Sequence, residues 1–99
     1  MNFQEKKVLF LARGLYGMNC EIAESEGTLK ALFIHEKTNN GYKTLITYFG
    51  DPKIPLTQST KEERLEQAEN DLKIRIHNKI TSLKGVLNAV NSLECESAD

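Results

Sequence analysis

His35 and His77 are the two histidines of the chain, and with Cys20, Cys95 and fourteen Asp and Glu residues they are the groups able to bind a metal or move protons. Their spacing works against both tasks. No HxxxH, HExxH or CxxC sets two ligands on one local face, and a zinc site needs such convergence to reach tetrahedral geometry. No metal or other cofactor is therefore expected. Covalent catalysis fares no better, because G-x-S-x-G is absent and no cysteine has a base placed beside it by local spacing. Gly14-Leu15-Tyr16-Gly17 is too short for a phosphate-cradling loop and reads as a helix exit. No catalytic residue is assigned.

Two groups of residues point instead to binding. Lys73, Arg75, Lys79 and Lys84 follow an acidic stretch (Glu62, Glu63, Glu66, Glu69, Asp71) with no acid among them. At 100° per residue they border an apolar helical stripe, Lys73, His77 and Lys84 on one side and Arg75 and Lys79 on the other. Such bases cover the flanks of a stripe with their methylene stems, and they can also dock an acidic partner or phosphates. Tyr42 and Tyr48 share one strand face with Thr44 and Ile46 and form a second candidate partner surface, although Tyr48 and Phe49 beside a turn read more simply as hydrophobic packing with a wet hydroxyl.

Ninety-nine residues, 39% apolar and 27% charged, make one domain of ordinary composition. A net charge of −1 disfavours generic attraction to nucleic acid or an anionic membrane. Lys6-Lys7 before Val8-Leu9-Phe10-Leu11-Ala12 falls short of a signal peptide, and no run is long enough to cross a membrane. The expectation is a cytoplasmic protein with two free thiols, Cys20 as a small core residue and Cys95 on a tail.

The elements that must position these residues are an α+β set within residues 1–99. Asn2-Phe3-Gln4-Glu5 starts a helix over about 3–13, with a strand over 7–12 as the competing reading. Alternation at Met18, Cys20 and Ile22 indicates a strand. Segments 29–36 and 42–49 flank Asn39-Asn40-Gly41, where Asn40-Gly41 suits the positive φ values of a hairpin turn. A three-stranded antiparallel meander follows, ended by Pro52 and Pro55.

Ser59/Glu62 and Thr60/Glu63 are overlapping capping boxes, and from there Leu65, Leu72, Ile76, Ile80, Leu83, Leu87 and Val90 wind one stripe along a helix over about 59–93. Residues 94–99 are expected as a tail. Such a helix is roughly 50 Å long, whereas a compact chain of this size is only about 34 Å across. It must break at Gly85 and fold back, or pair its stripe with another chain. The continuous helix is favoured, because an interior glycine costs only about 1 kcal/mol. Glu62 and Glu69, close to the stripe, suggest that the first two turns pass beyond the core.

Leu65, Leu72, Ile76, Leu83, Leu87 and Val90 are then expected to form a homodimer interface. The leading functional expectation is a protein-binding module without catalysis, an inhibitor or adaptor that sterically blocks a larger protein. Small inhibitors encoded by phages and other mobile elements have such sizes and such motif-poor sequences. The alternatives are a nucleic-acid-binding regulator using the basic stretch, which is disfavoured, and a small dimeric enzyme with a histidine at its subunit seam.

Overall fold

The computed structural model describes residues 2–97, with side chains described as far as residue 92. The element order is helix α1 (Phe3–Tyr16), strands β1 (Cys20–Glu24), β2 (Leu32–Thr38) and β3 (Gly41–Tyr48), a 3-10 turn over Leu56–Gln58, and helix α2 (Lys61–Ser97). The strands form an antiparallel meander in the order β1-β2-β3. The α+β reading holds.

Helix α1 starts at the expected cap, with the Glu5 amide donating to Asn2 Oδ1 at 2.8 Å, a contact worth about 1 kcal/mol. It continues three residues past the expected end. Gly17, at φ 117°, terminates it by donating its N–H to the Arg13 carbonyl, a backbone position that favours glycine. The strand alternative for residues 7–12 is thereby overturned. Arg13 Nε donates to the Cys20 carbonyl at 3.2 Å, tying the helix exit to β1.

In the hairpin, Thr38 pairs with Gly41, and Gly41 alone takes a positive φ, of 131°. The two positive values expected at Asn40-Gly41 reduce to one, because Asn39 and Asn40 form the turn centre. One irregularity reshapes the sheet: Ile34 pairs with Ile46 but His35 pairs with Thr44, leaving Leu45 as an extra residue. A bulge of this kind reverses the side to which later residues point. Tyr48 and Ile46 therefore share the inner face with Leu32 and Ile34, while Tyr42 and Thr44 lie on the outer face with His35. The expected common face for Tyr42 and Tyr48 does not exist.

Both helices cover the inner face. The core joins Val8 and Ala12 of α1, Cys20, Leu32, Ile34 and Tyr48 of the sheet, and Leu65, Ala68 and Leu72 of α2. Burying a side chain of the Leu or Val type contributes about 1.5–3 kcal/mol, so Val8, Leu32, Ile34, Leu65 and Leu72 carry much of the stability. Cys20 is a fully buried free thiol, as expected, and burial raises its pKa, with Glu36 adding to the effect. The side chain of Cys95 lies outside the described residues.

Of the two capping boxes, Thr60/Glu63 forms: the Glu63 amide donates to Thr60 Oγ1 at 3.1 Å, and the Thr60 amide donates to Glu63 Oε2 at 3.4 Å. Ser59 instead receives the buried Arg64 guanidinium on both its carbonyl and its hydroxyl, at 2.8 and 2.9 Å. The helix thus begins at Lys61, two residues later than expected. It runs unbroken through Gly85 to Ser97, so residues 94–97 of the expected tail are helical and residues 98 and 99 fall outside the described set.

Helix α1 lies parallel to α2, as the contact order shows: Glu5 meets Lys61 at 2.6 Å, Lys7 meets Glu69 at 2.6 Å, and the Leu15 carbonyl accepts from Lys79 Nζ at 3.4 Å. This packing buries the first half of the stripe. The expectation for the first two turns is therefore reversed: Arg64 and Leu65 are buried there, and Glu69 is paired within its own chain. The excess length lies at the other end. Thirty-seven residues span about 55 Å, and the radius of gyration of 18.0 Å exceeds the roughly 13 Å of a compact chain of this length.

Candidate association surface

The stripe divides at the end of α1. Leu65 and Leu72, expected at a dimer interface, are buried in the core of their own chain and are withdrawn from that role. Ile76 is half-buried where α1 ends. Beyond it Ile80, Leu83, Val86, Leu87 and Val90 are exposed, Leu83 by 58% and Leu87 by 59%. At 100° per residue Leu65, Leu72, Leu83 and Val90 lie on nearly one meridian. The surface that α1 covers in the first half is bare in the second, which leaves a continuous apolar patch of the kind associated with binding.

The basic stretch is less free than its sequence implies. Arg75 Nε donates to Asp71 Oδ2 at 2.7 Å, Lys73 lies 3.7 Å from Glu69 Oε1, and Lys79 reaches the Leu15 carbonyl. Only Lys84 of the four stands on the projecting part without such a contact among the described residues. Exposed pairs of this sort contribute at most about 1 kcal/mol to stability, but they reduce the positive field available to a polyanion.

Tyr48, expected at a partner surface, lies inside the fold. It is buried, and its hydroxyl donates to Asp71 Oδ2 at 2.6 Å. Burial pushes its pKa far above the usual tyrosine value, and the bond to the Asp71 carboxylate adds to the rise. At Asp71 burial likewise favours the neutral acid, yet the hydrogen bonds from Tyr48 and Arg75 outweigh it and hold the carboxyl below its ordinary range. The same bond raises the Arg75 pKa. Tyr48, Asp71 and Arg75 form a clasp between the sheet and α2 just before the helix leaves the body.

Tyr42 remains exposed, on the outer sheet face. There Phe33 stacks on His35 at 5.4 Å, the Tyr42 ring lies 6.0 Å from His35, and Thr44 Oγ1 meets His35 Nδ1 at 3.1 Å. This row follows from the bulge. His77 is exposed on α2, so the two histidines occupy separate surfaces. Among the described residues no group of three or more His, Cys, Asp or Glu converges on a metal-sized site, and no helix is long and apolar enough to cross a membrane.

One surface escaped the sequence reading. Phe3 and Phe10 of α1 are 75% and 79% exposed, and Met18 beside them is equally open. With Lys6, Lys7, Leu11 and Lys73 the two phenylalanines line a shallow groove. The signal was present, since Phe3 and Phe10 are seven apart and fall opposite the buried Val8 and Ala12 on a helical projection. Compared with known proteins, the chain matches no family model, no curated sequence and no solved structure.

Proposed function

We propose that this chain is a non-catalytic association module, an inhibitor or adaptor that pairs with a second copy through the projecting half of α2 and covers a larger protein sterically. The observation that carries this reading is the bare stripe at Ile80, Leu83, Leu87 and Val90, continuous with the face that α1 buries. Apolar area of this kind is stabilised by burial against a matching surface. The outer sheet face, with Phe33, His35 and exposed Tyr42, supplies rigid aromatic anchors of the type that dominate protein interfaces. Nucleic acid is the weaker candidate, because Arg75 and Lys73 already face acids of their own helix.

Sedimentation equilibrium tests the pairing. The expected mass is twice the 11.2 kDa of one chain, falling toward one chain for Leu83→Glu. A wild-type protein that stays monomeric up to about 100 µM, a concentration at which even a weak specific pair with a micromolar Kd is formed, overturns the reading.

A further inference from the structure

We propose that the partner on the stripe is a second copy of this chain lying antiparallel, with Leu83 of each copy against Leu87 of the other and the two globular bodies at opposite ends of the paired helices. This rests on the reading of the stripe as an association surface and adds its geometry.

The first argument is steric. Helix α1 occupies the stripe side of α2 as far as Lys79, where the Leu15 carbonyl meets Nζ. Paired helices lie 8–10 Å apart, the space that α1 already fills along the first half of α2. A parallel partner in register would have to run its own α2 through that space. An antiparallel partner makes its apolar contacts through the bare segment from Ile80 to Val90, and its body lies away from that of the first copy.

The second argument is register. Ile80, Leu83, Leu87 and Val90 are spaced three, four and three, the alternation of a two-helix seam. Turned end for end about the level of Gly85, the seam matches itself: Ile80 meets Val90, Leu83 meets Leu87, and the same pairs repeat on the other side of the two-fold axis. All four layers are apolar.

Charge supports the same arrangement. Residues 72–93 contain Lys73, Arg75, Lys79 and Lys84 and no acid. Parallel pairing would set Lys79 of each copy across from Lys84 of the other, two like-charge contacts at positions where opposite charges select partners. Antiparallel pairing leaves one such contact, Lys84 with its own copy near the axis.

Disulfide trapping reads this out directly. In full-length chains carrying Cys95→Ser, a Leu83→Cys variant is mixed with a Leu87→Cys variant under a glutathione redox buffer, and the linked peptides are identified by mass spectrometry. Both positions are exposed in the single chain, so folding is preserved, and Cys20 is buried away from the oxidant. The expected product is the 83-to-87 link between the two variants, about tenfold over 83-to-83 and 87-to-87 links, since only facing residues meet the Cα separation a disulfide requires. A dimer that gives mainly the like-to-like links overturns the antiparallel arrangement while leaving the association surface standing. A chain that is monomeric by sedimentation overturns both.

Discussion

Replacing Leu83 by Glu separates association from folding, because Leu83 is 58% exposed in the single chain while its stripe neighbour Leu72 is fully buried. Complete burial of a leucine is worth about 1.5–3 kcal/mol, so the part still exposed at Leu83, counted in both copies, comes to about 2–3.5 kcal/mol per dimer. At 1.4 kcal/mol per decade this weakens pairing by about 20- to 300-fold. Desolvating two carboxylates at the seam adds to that loss. The assay is sedimentation equilibrium over a dilution series, with circular dichroism on the same samples. Helical content and the denaturation midpoint of the dilute chain should stay as in the wild type, while the dissociation constant rises. Leu72→Ala should do the opposite in kind: it opens a cavity beside α1 and costs about 2–5 kcal/mol of stability. Equal association constants for wild type and Leu83→Glu would refute the reasoning, as would a Leu83→Glu chain that unfolds as readily as Leu72→Ala.

Tyr48→Phe removes the hydroxyl that donates to Asp71; with the site partly open to solvent, the expected loss is about 1–2 kcal/mol in chemical denaturation. Because the folded-state pKa of Tyr48 lies far above the ordinary value of about 10, its contribution is complete below that pH and declines as pH rises through the alkaline range. Wild-type stability should fall there and that of Tyr48→Phe should fall less. Asp71 has a lowered folded-state pKa, so its contribution is present above about pH 4 and is lost as pH falls below it; Asp71→Asn should flatten that acid limb. Gly85→Ala meets no neighbouring atom and should gain up to about 1 kcal/mol of helix stability, slowing amide exchange over residues 80–92 by about fivefold. Gly50→Ala should cost about 1–2 kcal/mol by denaturant midpoint, because φ is 93° there and the new methyl would lie 3.2 Å from Ser59 Cβ.

The helices and the meander were legible because their signals are local: Asn2 and Thr60 cap as their types dictate, and the proline pair closes β3. The continuity of α2 through Gly85 was also legible, since one glycine costs little in a long helix. Two features were not. The extra residue at Leu45 is decided by pairing with β2, and because strand faces alternate by single residues, it sent Tyr48 inward and left Tyr42 out. Which half of the stripe is covered depends on the direction in which α1 lies on α2. Nothing local in either helix specifies that direction, so Leu65 and Leu72 could not be told from Leu83 and Leu87. The outward placement of Phe3 and Phe10 is a local signal, since both fall opposite Val8 and Ala12 on a helical projection.

The clasp of Tyr48, Asp71 and Arg75 sits at the point where α2 leaves the body, and Lys79 anchors the helix to the end of α1 one turn further on. These contacts lie on two sides of α2 at its exit and set the direction in which the projecting segment leaves the body. Two such segments joined end to end about Gly85 would hold their bodies roughly 50 Å apart, from the 1.5 Å rise per residue between the axis and the core at Ala68. In the proposed pair, a spacer of that length would let both aromatic sheet faces bind one large target at once only where its two footprints match the span.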